Sequence, residues 1–283
     1  MTFSVFDDTQ CSLGEGPIWH PDRQTFFWFD INNCTLYEKG NGVHRHWTFD
    51  GHVSAAGLVD ENTLMIAHEK ALLKFDIETG QHTVLCDLEA DNPITRSNDG
   101  RADPWGGFWI GTMGKQAEPG AGAYYRYYKG ELRKLYGDWS IPNATCFAPD
   151  RSYTYFADTP RGKIWRVALD PDTGWPAAER EVFLDLASDQ YRPDGAVTDA
   201  QGNIWCTHYG LAKLTCHAPD GSELSSQPLA ARQTTCPAFG GADFTQMYLS
   251  SARQNLTEPT DFDGQTFIGT VGAVGLPEPK VLL

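Results

Sequence analysis

The chain has 283 residues, 41% of them hydrophobic and 12% aromatic, enough to fill the core of one domain spanning residues 1–283. Its 22 Lys and Arg against 37 Asp and Glu leave a formal net charge of −15, which argues against nucleic acid and anionic membranes as partners, since both present negative phosphates. Seven cysteines, an odd number without a C-x-x-C spacing, fit a reducing compartment better than a disulfide framework. The first residues lack a basic stretch followed by an apolar one, and no apolar run approaches the roughly 18 residues that span a bilayer. The expected setting is the cytoplasm, with a small-molecule ligand and a monomer or weak homo-oligomer.

Taken along the chain, one pattern recurs: a small polar start, a few apolar residues, a tight turn, then an aromatic-rich run. The first unit begins at Glu15-Gly16-Pro17-Ile18-Trp19 and continues with the run at 26–30. The second covers 54–60, then 63–67 and 71–76. The third starts at Asn98-Asp99-Gly100 and continues at 108–111 and 122–127. The fourth starts at Asn143 and continues at 153–158 and 163–167. The fifth starts at Asp194, with runs at 203–206 and 212–215, and the sixth at Cys236, with a run at 246–250. The runs are short, rich in aromatic and β-branched residues and separated by turn residues such as Asp60-Glu61-Asn62 and Gln201-Gly202-Asn203, so they read as strands. No long stretch has helical periodicity. Six units of about 40–50 residues predict an all-β chain, a six-bladed β-propeller with four-stranded antiparallel blades around a central channel. Residues 3–6 are expected to supply the outer strand of the last blade and close the ring.

Four of these units carry an oxygen-bearing side chain at the same step: Glu15, Asn98, Asn143 and Asp194. The other two place Ser54 or Ala55 and Cys236 there. On a ring, residues at one shared step line the channel mouth and converge. Each also has a local reading as a turn former, most plainly Asn98-Asp99-Gly100 and Pro193-Asp194-Gly195. Their shared register favours convergence. Two carboxylates gathered with two amides need a balancing cation. Hard oxygen donors suit Ca²⁺, Mg²⁺ or Mn²⁺ better than a structural Zn²⁺. Such an ion polarises a carbonyl and acidifies water.

The segments Leu13-Gly14-Glu15-Gly16-Pro17-Ile18-Trp19, Arg96-Ser97-Asn98-Asp99-Gly100, Gly111-Thr112-Met113, Pro142-Asn143 and Arg192-Pro193-Asp194-Gly195 resemble the gluconolactonase, SMP-30 and regucalcin family over nearly the whole chain. The resemblance implies a six-bladed propeller with one divalent cation on its axis, Ca²⁺ first, with Mg²⁺, Mn²⁺, Zn²⁺ or Fe²⁺ as alternatives. It implies Glu15, Asn143 and Asp194 as metal ligands, Arg96 and Asn98 as substrate contacts, and Asp194 as general base, with Asp99 a rival for that role. The implied activity is hydrolysis of a sugar lactone to the aldonic acid. The alternatives are a phosphotriester or non-sugar lactone hydrolase, or a calcium-binding scaffold without turnover. Where some relatives carry an acidic substrate contact after Gly111-Thr112-Met113, this chain has Lys115 and Gln116, with Glu118 close behind. Gln116 and Glu118 are therefore expected to contact substrate from a loop over the site. His208 and Tyr209 are candidates for the same pocket.

No G-x-S-x-G elbow or phosphate-binding loop is present. Asp170-Pro171-Asp172-Thr173-Gly174 lacks the acidic residues of a calcium loop and reads as a hairpin turn. His44 and His46 read as one exposed strand face.

Overall fold

In the computed structural model, which describes residues 2–283, six four-stranded antiparallel sheets form a closed ring. Their innermost strands are Gly14–His20, Val53–Asp60, Thr95–Ala102, Pro142–Phe147, Pro193–Thr198 and Thr234–Gly240, and each contacts the next around the axis. The sixth blade takes its outer strand, Phe3–Asp7, from the opposite end of the chain, pairing it with Thr266–Thr270. The two ends of the polypeptide are thereby laced into one sheet, and the ring has the closure expected from the sequence.

The aromatic runs are explained by strand alternation. In Thr25–Asp30, Phe27 and Phe29 pack toward the second blade, while Phe26 and Trp28 pack toward the sixth. Both faces of a blade are covered by neighbours, so the strand is buried throughout and reads as a continuous apolar run. The same logic distributes the core into apolar clusters at the six blade junctions. Among the described residues the one helical element is a 3₁₀ turn, Thr159–Arg161, and no helix is long and apolar enough to cross a membrane.

Every innermost strand breaks register with its neighbour near its start, between Glu15 and Ile18, Val53 and Ala55, Ser97 and Gly100, Asn143 and Cys146, Pro193 and Ala196, and Thr234 and Pro237. A bulge re-aims the side chains within it. The Asn98-Asp99-Gly100 and Pro193-Asp194-Gly195 sequences, which have hairpin-turn composition, lie inside strands, and their turn-forming residues serve these bulges. Gly16, at φ 54°, sits where an added Cβ would meet the Ser54 carbonyl oxygen, so a glycine is required directly after Glu15. Asp170 accepts from the amides of Asp172 and Thr173, the hairpin turn expected there. His44 and His46 lie on the exposed face of their strand. The third strand of the fifth blade is Lys213–His217. It starts one residue later than its apolar run suggests, because Ala212 takes a left-handed φ of 49° in the preceding turn.

Two blades anchor the approach to the axis with a buried aspartate. Asp30 accepts from the backbone amides of Ser12 (2.8 Å) and Leu13 (3.0 Å), and from the Asn33 amide nitrogen (2.7 Å). Asp158 does the same for Ser140 and Ile141. Each clamp fixes the backbone two residues ahead of a channel-lining side chain, Glu15 or Asn143. At the far side the C-terminal residues cross the ring: Val274 accepts from the Ala200 amide, Glu278 pairs with Arg101, and the Val281 amide donates to the Leu58 carbonyl at 2.6 Å. Replacing Asp30 by alanine leaves buried amides without acceptors. The expected loss is about 2–4 kcal/mol, read as a lower urea midpoint, and an unchanged midpoint contradicts the clamp.

Candidate functional site

Glu15, Arg96, Asn98, Asn143 and Asp194 line one cavity of about 350 Å³ at the mouth of the channel. They come from four different blades and are brought together by the bulges at the starts of their strands. All five are buried, with Asn143 3% and Asp194 4% exposed.

A chain of hydrogen bonds sets the amides. Arg96 Nη1 donates to Asn98 Oδ1 (2.9 Å) and to the Ser97 carbonyl (2.7 Å). Asn98 Nδ2 donates to Asn143 Oδ1 (3.0 Å) and to the Pro142 carbonyl (2.9 Å). Asn143 Nδ2 donates to Thr159 Oγ1 (2.7 Å), which donates onward to the Pro193 carbonyl (2.7 Å). Both protons of each amide nitrogen have directions to go except one on Asn143, and the Asn143 oxygen keeps a second lone pair. Tyr124 holds the Asn143 carbonyl at 2.9 Å from behind. Thr159 was not legible as a site residue, because its contribution depends on the 3₁₀ turn that follows the second strand of the fourth blade.

The carboxylates have no such partners. Among the described residues, Asp194 Oδ2 is buried without a hydrogen bond and Glu15 accepts only from the amide of Gly16, at 3.1 Å. Burial raises the Asp194 pKa well above the usual carboxylate range, and the charges of Glu15 and Asp99 push the same way. Burial likewise raises Glu15, with Asp99 adding to it and the Gly16 amide and Arg96 opposing. Arg96 is the nearby cation, and burial lowers its pKa to about 10. It forms no ion pair among the described residues. Two buried carboxylates, one with an orphaned oxygen, beside a fixed amide oxygen make a donor set that suits a hard divalent cation. No group of three or more His, Cys, Asp and Glu side chains gathers among the described residues. The set reaches three donors only through Asn143.

Asp99 goes elsewhere. Its Oδ2 accepts from the Thr145 amide at 2.7 Å, and it lines a separate void of about 10 Å³ farther along the innermost strands, with Arg101, Cys236 and Glu278. It adds negative charge beneath the cavity without lining it. Gln116 is exposed and lines the mouth, whereas Glu118 turns back into its own loop and accepts from the Gln116 amide at 3.0 Å. Glu118 therefore shapes the loop, and the polar side chains of this segment that line the cavity are those of Lys115 and Gln116. Tyr209 lines the cavity, its hydroxyl accepting from Gln254, while His208 is buried against Thr215 outside it. His52 also lines the cavity. It lies in the second blade just before the innermost strand, ahead of the shared step at Ser54 or Ala55, so the sequence pattern passes over it.

The sequence agrees with this geometry when set against known proteins. The family model described as "SMP-30/Gluconolactonase/LRE-like region" matches residues 13–253. A crystal structure of a calcium-binding protein, regucalcin, from Agrobacterium tumefaciens is 38% identical, covers 99% of this chain and 97% of its own, and superposes with a TM-score of 0.96. A 6-deoxy-6-sulfogluconolactonase of Pseudomonas putida is 32% identical over 94% of each chain. A pentonolactonase of Haloferax volcanii is 31% identical over 98% of this chain and 97% of its own. This chain belongs to the SMP-30/gluconolactonase/LRE-like family.

Proposed function

We propose that this protein hydrolyses a sugar lactone to the aldonic acid, with a divalent cation held by Glu15, Asn143 and Asp194. The observation that carries the reading is the pair of buried, poorly partnered carboxylates on the channel axis. The names of the relatives, lactonases among them, support the reaction class. When bound, the cation supplies Lewis-acid polarisation of the lactone carbonyl.

The chain's own residues supply the rest. Arg96, whose Nη1 is committed to Ser97 and Asn98, presents its remaining N–H groups to the oxygens of the lactone. Asn98 is fixed between Arg96 and Asn143, so the guanidinium and the cation ligands keep one spacing. Asp194 uses its free Oδ2 to hold the attacking water and take its proton. Water oxygen bonds to the carbonyl carbon, the ring C–O bond breaks, and the ring oxygen leaves as a hydroxyl carrying that proton. Asp99, already accepting from Thr145 and outside the cavity, is poorly placed for this step.

The test is acid release from a panel of aldonolactones in a pH-stat. Chelator is expected to abolish it and added divalent cation to restore it. In the same assay Asp194→Asn is expected to lose about 10²–10⁴-fold in turnover while remaining folded. No acceleration over spontaneous ring opening with cation present, or near-wild-type turnover in the variant, contradicts the reading.

The carboxylate pair also predicts a pH effect on stability in chelator. In the unfolded chain these groups ionise near pH 4, whereas in the folded chain burial holds them protonated to higher pH. The folded state then binds more protons, so their contribution falls as pH rises above that range and is intact below it. Without metal, Glu15→Gln is therefore expected to gain thermal stability relative to wild type as pH increases from 5 to 8, and saturating Ca²⁺ to reverse the order. A gap that stays constant or shrinks with pH contradicts the assignment.

A further inference from the structure

One wall of the cavity mouth is built from groups that no step above uses. His52 and Lys115 line the cavity and share a single carboxylate, Glu69, which sits behind them. Lys115 Nζ lies 3.2 Å from Glu69 Oε1, and His52 Nδ1 bonds Glu69 Oε2. Burial would raise the Glu69 pKa, but the bonds from His52 and Lys115 outweigh it and hold it at about 2, so the carboxylate stays ionised and fixes both partners. An ammonium has three N–H donors and Glu69 takes one, leaving Lys115 with donors free toward the cavity. His52, tied through Nδ1, turns Nε2 away from Glu69. These groups reach the mouth from different blades: His52 and Glu69 flank strands of the second, and Lys115 follows Gly114 at the end of a strand of the third.

With a divalent cation offsetting Glu15 and Asp194, Arg96 and Lys115 bring two positive charges to the cavity wall against the single carboxylate of Glu69 behind it. The cavity lining is then net positive, with Asp99 beneath it as the opposing charge, on a chain whose formal charge is −15. Among the described residues no free carboxylate faces this mouth, since Glu118 is folded into its loop.

We propose that Lys115, positioned by Glu69 alongside His52, forms a subsite for an anionic substituent carried by the lactone away from its reacting carbonyl, such as a carboxylate. This rests on the lactonase reading for its substrate and names a class within it. Lys115 acts as a specificity-determining residue, and the discrimination expected from one charge-assisted hydrogen bond is about tenfold.

The experiment compares a matched pair, D-glucaro-1,4-lactone, with a carboxylate at C6, and D-glucono-1,4-lactone, with a hydroxymethyl group there. Wild type is expected to favour the glucarolactone by about tenfold in kcat/KM at low salt, with the preference falling as salt screens the charge. Lys115→Gln is expected to bring the ratio of the two constants close to one. Its side chain is 29% exposed, so the variant is expected to fold normally. A wild-type ratio at or below one, or a ratio unchanged by Lys115→Gln, overturns the subsite. If neither lactone is turned over, the lactonase reading fails separately, and calorimetry with D-glucarate and D-gluconate on the Ca²⁺-loaded protein decides the subsite. Tighter glucarate binding that Lys115→Gln removes supports it, and equal binding of the two anions overturns it.

Discussion

The structure turns on an electrostatic debt at the centre of the ring: Glu15 and Asp194 are buried together with Asp99 beneath them, and the residue beside them with positive charge, Arg96, makes no ion pair among the described residues. A folded chain tolerates such a set by keeping the carboxyls protonated or by taking up a cation. The rest of the architecture makes that arrangement unavoidable. Six blades packed through apolar clusters hold the innermost strands in place, and the bulges at the starts of four of them bring Glu15, Asn98, Asn143 and Asp194 to the channel mouth. The backbone beside Glu15 is held from behind by Asp30, and that beside Asn143 by Asp158 and Tyr124.

The amides serve a different purpose from the carboxylates. Asn98 and Asn143 carry no charge, yet hydrogen bonds fix the orientation of both. The relay from Arg96 through Asn98 and Asn143 to Thr159 and the Pro193 carbonyl crosses three blades and fixes the Asn143 amide at the cavity wall, its oxygen accepting from Asn98. A ligand oriented by its neighbours is worth more than one that must be ordered on binding. The relay also ties the Arg96 guanidinium to Asn143, so positions that are remote in the chain are held at one spacing.

Much of this was legible in the sequence because the repeat carries it. The shared step of Glu15, Asn98, Asn143 and Asp194 and the aromatic alternation of residues 26–30 both follow from strand period and ring symmetry. Residues whose orientation depends on local irregularity were harder to read. Pro193-Asp194-Gly195 has turn composition, yet the bulge that uses it lies within a strand. Asn98 and Asp99 are adjacent, and only the bulge decides that the first enters the cavity and the second faces the Thr145 amide. Glu118 follows a motif that suggested substrate contact, but its loop closes on its own backbone. His52 and Thr159 lie outside the repeat's marked step, and their place in the cavity comes from tertiary packing alone.

The most direct measurement is a crystal of the protein soaked with Mn²⁺ and examined by anomalous diffraction. A single strong peak on the channel axis, within about 2.0–2.6 Å of oxygens from Glu15, Asn143 and Asp194, is the result expected for a hard cation. A cavity without an anomalous peak at saturating Mn²⁺, with Glu15 and Asp194 in the positions described here, would contradict the central claim.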